Sequence, residues 1–311
     1  MAVEITRPGK NSLILETPVM PAAGTFGYGE SYRDLVNMEK LGAVVTNPVS
    51  YEPRTPANGP RVIQLAAGVL MHTGLPNAGI NKVLRQQRNL WATLPLPVIV
   101  HLIATTDDQV RKAAARLDEE DSVDGIELGL RDDITWQEAS RLVGHAVTKT
   151  EKPVLVRLPM HDAYEIADAV VDAGASTLVV CAPPRGTARD PHTRQMVSGR
   201  IYGPLVKPIA LHMVGRIARR VDVPVIGAGG IHNPEDAREF IEAGAVAIQV
   251  DSVIWRNPQE LEVIARDLGG YIVTRETGAM PDEWHRGMGD TEKKRHRQRD
   301  ADDENSDVGR N

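Results

Sequence analysis

The chain has 311 residues, of which 41% are hydrophobic and 25% are charged, values that are ordinary for a globular protein and exclude a disordered polyelectrolyte. A net charge of −6 and an aromatic content of 4% argue against a nucleic-acid-binding surface. The single cysteine, Cys181, excludes an internal disulfide framework, a multi-cysteine zinc site and a self-contained iron–sulfur cluster. We find neither a signal peptide nor a membrane helix, and therefore expect a cytoplasmic protein.

Short, β-branched apolar runs alternate with helical patterns along most of the chain. Such runs are typical of strands buried on both faces of a parallel sheet. Helix-start signals lie between them, including an N-cap residue followed by proline and acids at 233–236 and again at 257–260. Eight strands with intervening helices predict an α/β fold, a (β/α)8 TIM barrel. The predicted strands are 18–22, 43–46, 98–102, 125–128, 154–158, 177–181, 223–226 and 247–250.

Two connections and the end of the chain differ from this pattern. The connections 51–83, after the second strand, and 182–208, after the sixth, are longer than a barrel requires. Both leave the carboxyl ends of strands, where barrels build their active sites, so we predict long functional loops there. Residues 282–311 are rich in charge and poor in large apolar side chains. We therefore predict a barrel domain over 1–281 and a charged, disordered tail over 282–311.

The sharpest local motif is a strand that runs into the glycine-rich turn 227–230. Glycines allow backbone N–H groups to approach a phosphate closely. Barrels commonly bind phosphate at the loops after strands seven and eight, which is where this turn lies. The turn therefore indicates a phosphate site, and a tight turn without a ligand is the alternative.

Further motifs occur in chain order between residues 12 and 258. They read PVMPAAGTFGYG at 18–29, YEPR at 51–54, GLPNAG at 74–79, YGPLVKPIAL at 202–211 and IGAGGI at 226–231. Together they resemble the class 1 dihydroorotate dehydrogenases, which are FMN-containing barrels, and especially the catalytic subunit of class 1B. The resemblance implies one FMN across the strand ends, a small-molecule substrate, a homodimer and a separate iron–sulfur flavoprotein subunit for electron transfer.

The resemblance also assigns residues to these sites. Arg157 stands where the family has a lysine on the fifth strand, and Asn47 where it has a lysine that contacts flavin and substrate. The FMN-binding residues implied are Ala23, Gly24, Asn47, Arg157, Gly203, Gly229, Gly230 and Ser252. The substrate-binding candidates are His72, Gly74 and Leu75.

Several substrate-facing positions depart from the family. His101 and Gly129 stand where it has asparagines, and Met71 and Ala182 replace two more. The loop after the fourth strand is short and carries Asp132 at the position of the family's cysteine or serine base. Since a site built on substrate hydrogen bonds discriminates by ~10⁴–10⁵, we predict that dihydroorotate is not the substrate.

The catalytic candidates are Asp132, His101 and Arg157. Arg157 would stabilise negative charge on a reduced flavin, while His101 or Asp132 would transfer protons. Alternatively, Asp132 is a solvated loop charge and His101 a structural histidine.

Asp251 puts the cofactor itself in question, because the family has glycine at this position before Ser252. A carboxylate about 4 Å from a phosphate charge costs on the order of 4 kcal/mol at an effective dielectric of 20. Asp251 therefore points away, pairs with Arg256, or marks a site that no longer holds FMN.

Three functions remain open at this point. The first is an FMN-dependent oxidoreductase of the CH–CH type, diverged from dihydroorotate. The second is a catalytically inactive barrel that acts as a binding or regulatory subunit. The third is a phosphate-binding lyase or isomerase without flavin. No pair of histidines or carboxylates has metal-ligand spacing, so we predict no metal.

Overall fold

Eight parallel strands form a nearly closed barrel in this computed structural model, which describes residues 2–9 and 12–277. The first strand pairs with the eighth, and each strand from the eighth down to the third pairs with the one before it in the chain. Between the first two strands, the Gly42 N–H donates to the Val19 carbonyl at 2.8 Å. The predicted TIM barrel is confirmed. The barrel strands, first to eighth, are Val19–Pro21, Val44–Val45, Val98–Ile103, Gly125–Gly129, Val154–Arg157, Thr177–Val180, Val225–Ala228 and Ala247–Val250.

Helices follow the barrel strands where the N-cap signals predict them. The side chains of Thr106 and Asn233 each accept a backbone N–H from the first turn of their helix. The signal at 257–260 is displaced, because residues 258 and 259 form a turn and the helix begins at Glu260. The α-helices are Ile80–Trp91, Asp107–Asp118, Trp136–Val147, Ala163–Asp172, Lys207–Ile217, Pro234–Glu242, Val253–Arg256 and Glu260–Thr277, with short 3₁₀ helices at Met38–Lys40 and Pro204–Val206.

A hairpin of Val3–Glu4 and Ile14–Leu15 closes the amino-terminal end of the barrel. Its neighbours Ile5 and Leu13 are buried in the same cluster as the side chains of the barrel interior. The Thr177 hydroxyl donates to the Ile5 carbonyl and fixes the hairpin to the start of the sixth strand. Because apolar side chains fill this end, the opposite end is left to form a site.

The two long connections form a sheet rather than irregular loops. We call these four antiparallel strands the mouth sheet, and Arg200 pairs with Met71 where the two connections meet. Ile63, Leu70 and Val197 form a small buried cluster within it. The sheet therefore ties two distant segments together. Its strands are Val62–Leu65, Gly68–Met71, Arg185–Arg189 and Met196–Tyr202.

Residues 1–268 form one compact unit. Of the second unit, 269–311, the structure describes residues 269–277, which are helical. The predicted boundary after residue 281 and the predicted tail lie outside the described residues and stay predictions. Within residues 2–9 and 12–277, no helix has the length and apolar character needed to cross a membrane.

Candidate functional site

A cavity of about 760 Å³ lies between the carboxyl ends of the barrel strands and the mouth sheet. Active sites of barrels are built at this end of the strands. Among the described residues that line the cavity, Asp132 is the one acid, whereas five are arginines. The cavity therefore favours an anionic ligand. The lining arginines are Arg54, Arg131, Arg157, Arg185 and Arg200.

Most of the predicted site residues line this one cavity. Those that do are Ala23, Gly24, Asn47, His72, Gly74, Leu75, His101, Asp132 and Arg157. Those that do not are Gly203, Gly229, Gly230 and Ser252, the residues assigned to the phosphate end of FMN and its approach. The individual roles of these residues stay predictions.

A buried polar network includes His101 and Arg157 from the cavity wall. His101 and Glu127 are register partners on the third and fourth strands, and their Nδ1 and Oε1 atoms are 2.7 Å apart. Arg157 on the fifth strand places Nη1 at 3.5 Å from the same Oε1. Gln249 on the eighth strand accepts from Arg157 Nη1 at 2.7 Å and donates through Nε2 to Glu127 Oε2. Three adjacent strands and the eighth strand, which pairs with none of them, thus bring four polar side chains into the barrel interior.

Glu127 is ionised although it is fully buried. Burial alone raises the pKa of its carboxyl, but the hydrogen bond to His101 and the charge of Arg157 outweigh burial and lower the pKa to about 2. An ionised carboxylate can only accept, so Nδ1 of His101 carries the proton and donates it. In the neutral ring, Nε2 is then the unprotonated nitrogen.

Gly129 makes room for His101. A Cβ at position 129 would lie 2.6 Å from both Cε1 and Nε2 of His101. Both residues line the cavity, and a side chain at position 129 would overlap the ring edge that carries Nε2. The histidine ring at position 101 therefore depends on glycine at position 129.

Asp132 lies in ion pairs at the cavity rim. Its Oδ1 is 2.7 Å from Arg200 Nη1 and its Oδ2 is 3.5 Å from Arg185 Nη1. Arg200 also donates to the Pro183 carbonyl at 2.7 Å. These contacts hold the Arg200 guanidinium at the rim and engage both oxygens of Asp132. A base role for Asp132 stays a prediction.

A second buried carboxylate occupies the glycine turn. Asp251 is 1% exposed, and its Oδ1 accepts from the Ser252 N–H and, at 2.9 Å, from the Ser252 hydroxyl. Its Oδ2 accepts from the Gly230 N–H at 3.5 Å. We call the N–H groups of Gly230 and Ser252 the anion site. Asp251 points into it, and among the described residues it forms no ion pair with Arg256.

The residues present do not fit FMN at its phosphate end. Ala23 and Gly24 line the cavity where the flavin ring is expected, so the ring side is open. The phosphate would need the N–H groups of the anion site, which the Asp251 carboxylate already uses. Two anions cannot share these donors without strong repulsion.

Other sequence features have structural explanations. Cys181 is fully buried, and burial raises the pKa of its thiol, so it stays protonated as a small core residue. Among the described residues, no three His, Cys, Asp or Glu side chains form a group that could hold a metal ion. At the cavity, the rings of Tyr202 and Trp255 meet edge-on with centroids 5.1 Å apart, and burial raises the pKa of the Tyr202 hydroxyl.

Sequence reasoning missed Glu127, Gln249 and Arg200. Glu127 and Gln249 could have been found from the sequence, because a glutamate or glutamine inside an otherwise apolar strand needs a buried hydrogen-bond partner. No sequence pattern indicates Arg200, since its position depends on the pairing of strands in the mouth sheet.

The fold and the site define an α/β barrel with a polar, anion-favouring cavity at its strand ends. The chain matches the family model "Dihydroorotate dehydrogenase" over residues 10–272. It is 37% identical over 275 residues to the "Dihydroorotate dehydrogenase B (NAD(+)), catalytic subunit" of Geobacter metallireducens, covering 83% of this chain and 90% of that protein. Proteins with the same description from Pelobacter propionicus and Geotalea daltonii are 36% and 34% identical, over 84% and 83% of this chain and 91% and 90% of theirs. The chain belongs to the dihydroorotate dehydrogenase family, and the resemblance drawn from its motifs is confirmed.

Proposed function

We propose that this chain is a diverged enzyme of its family, which binds a small anionic substrate other than dihydroorotate and transfers a proton at Nε2 of His101. The observation that carries the proposal is the His101–Glu127 pair at the wall of an arginine-lined cavity. A histidine oriented by a buried carboxylate is a common general base.

The network assigns each member a task. Glu127 fixes the tautomer of His101 and stabilises the imidazolium that forms when Nε2 takes a proton. Arg157 and Gln249 keep Glu127 ionised and correctly turned. Proton transfer in either direction then takes place at one atom, Nε2.

Arginines at the rim would hold the anionic group of the substrate. Arg200 is anchored by Asp132 and the Pro183 carbonyl, so its guanidinium loses little conformational freedom when a ligand binds. A fixed guanidinium suits a carboxylate, with which it forms strong charge-assisted hydrogen bonds. We therefore expect a carboxylate on the substrate.

Three cavity positions argue against dihydroorotate. Met71, Gly129 and Ala182 line the cavity, and none has a side chain that hydrogen-bonds a substrate amide. The resemblance places substrate-binding asparagines at these positions. Losing such bonds discriminates strongly against a ligand that needs them.

Calorimetric titration with dihydroorotate and a panel of small mono- and dicarboxylates tests the proposal. We expect at least one carboxylate to bind with Kd below about 1 mM, and Arg200→Ala to weaken it by about tenfold or more. The exposed Arg111 on the helix Asp107–Asp118 provides the control Arg111→Ala, which should bind as the unaltered chain does. If no carboxylate binds, or Arg200→Ala has no effect, the proposal is wrong and the inactive barrel is favoured.

The second candidate is the family's FMN-dependent oxidation of a CH–CH bond. The position of Ala23 and Gly24 at the cavity favours it, as does membership of an oxidoreductase family. Its relatives are described as catalytic subunits, so it implies a separate electron-transfer subunit, and the homodimer also belongs to this expectation. This candidate requires Asp251 to leave the anion site, and visible absorbance of the purified chain tests it.

A further inference from the structure

We infer that Asp251 is a built-in occupant of the anion site, so that this chain excludes FMN and its ligand carries no phosphate there. The inference concerns the glycine turn and does not depend on the proton transfer proposed for His101.

Hydrogen bonds tie the Asp251 carboxylate into the two loops that form the anion site. The Ser252 hydroxyl, which lies 2.9 Å from Asp251 Oδ1, is also 3.3 Å from Nε2 of His232. The Nδ1–H of His232 donates to the Gly230 carbonyl at 3.0 Å, and the His232 N–H donates to Asp236 at 2.8 Å. The loop after the seventh strand is thus connected to the loop after the eighth through the carboxylate.

The backbone of the glycine turn packs closely against the segment 203–207. A Cβ at Gly230 would lie 2.5 Å from the Lys207 backbone nitrogen and 3.0 Å from the Gly203 carbonyl oxygen. The turn is therefore packed against its neighbours with no room for a side chain at position 230, and Asp251 and a phosphate would need the same N–H groups. One anion must leave if another is to bind.

Lys207, whose backbone nitrogen packs against Gly230, has its side chain engaged in ion pairs. Lys207 places Nζ at 2.6 Å from Asp236 and 3.1 Å from Glu239, both on the helix Pro234–Glu242. Within the described part of the chain, Asp251 has no ion pair of its own. Two negative charges about 4 Å apart at an effective dielectric of 20 weaken phosphate binding by about a thousandfold.

The position of the glycine turn outside the cavity lining limits which ligands the cavity can bind. Gly229, Gly230 and Ser252 are absent from its lining, whereas the arginines of the rim are part of it. A ligand in the cavity is therefore recognised through its contact with arginine, and the glycine turn adds no phosphate contact.

Titration with FMN and riboflavin, followed by flavin fluorescence, tests the inference. The variants are Asp251→Gly, which empties the anion site, and Asp251→Asn, which removes the charge and keeps the bulk. The exposed Asp121 gives the control Asp121→Gly. Circular dichroism and thermal melting establish that each variant is folded.

We expect the unaltered chain and the control to be purified colourless and to bind FMN weakly. Asp251→Gly should bind FMN on the order of a thousandfold more tightly, with little gain for riboflavin, which has no phosphate. Asp251→Asn should show a smaller gain in the same direction.

Three results would overturn the inference. The first is stoichiometric FMN in the unaltered chain. The second is a folded Asp251→Gly variant with unchanged affinity for FMN, and the third is an equal gain for riboflavin. If Asp251→Gly does not fold, Asp251→Asn decides, and an unchanged affinity in that variant also overturns the inference. None of these results depends on carboxylate binding at Arg200, so failure here is distinguishable from failure of the proposed function.

Discussion

Glu127 and Asp251 are both buried carboxylates near the carboxyl ends of barrel strands, yet their surroundings differ. Glu127 has Arg157 as a counter-ion and accepts a hydrogen bond from Nδ1 of His101, which lines the cavity. Asp251 turns onto backbone N–H groups and closes the place where a phosphate would bind. A buried acid therefore supports a reactive group in one case and replaces a ligand in the other, and its partners determine which.

Glu127→Gln should have the largest effect on stability. It leaves the buried Arg157 without its counter-ion, and breaking such a pair typically costs about 3–5 kcal/mol. Urea denaturation at neutral pH measures the loss in the free energy of unfolding. The matched control is Glu119→Gln, because the Glu119 side chain is 71% exposed and its ion pair with Arg116 should contribute little. A loss below about 1 kcal/mol for Glu127→Gln would contradict the role of Glu127 as the counter-ion of Arg157.

Acid should remove the contribution of Glu127 to the free energy of unfolding. Its pKa is about 2 in the folded chain against an ordinary value of 4.5, so its ionisation stabilises the fold above about pH 4.5. That stabilisation is lost as the pH falls from 4.5 towards 2, and the difference in pKa corresponds to about 3 kcal/mol. Denaturation series across this range should show a shallower pH dependence for Glu127→Gln. If the free energy of unfolding of the unaltered chain and of Glu127→Gln changes equally with pH, Glu127 is not ionised in the folded chain.

Gly129→Ala should displace the His101 ring. The new Cβ would meet Cε1 and Nε2 at 2.6 Å, and overpacking of this kind costs about 1–3 kcal/mol. Carboxylate affinity and the imidazole NMR signals of His101 should change together. Gly144→Ala is the matched control, since a Cβ there meets nothing within 4 Å in the helix Trp136–Val147, and it should stabilise the chain by about 1 kcal/mol. Unchanged His101 signals in Gly129→Ala would refute the linkage of the two residues.

Asp132→Asn should have the smallest effect. It removes the ion pairs to Arg200 and Arg185 at the partly exposed rim, which we expect to cost about 1 kcal/mol. Exchange with solvent of a hydrogen on the carbon next to the carboxylate of a bound ligand should persist in Asp132→Asn and disappear in His101→Asn, because the base takes that proton from the C–H bond. The opposite pattern would make Asp132 the base.

Sequence alone predicted the barrel well, because eight apolar strands and capped helices are local patterns. Most of the site residues that it predicted through the resemblance line the cavity, and it singled out Asp251 as a departure. It could not show which way Asp251 turns, since that depends on contact with Gly230, 21 residues away along the chain. The mouth sheet was also missed, because the pairing of Arg200 with Met71 is long-range and the long connections carry weak strand patterns.

The most direct test of the account is one calorimetric experiment on the unaltered chain, in which FMN and the carboxylate panel are titrated in the same buffer. The account predicts heat of binding for at least one small carboxylate and none for FMN. Tight binding of FMN would contradict the role of Asp251, and the absence of binding for every carboxylate would contradict the proposed function.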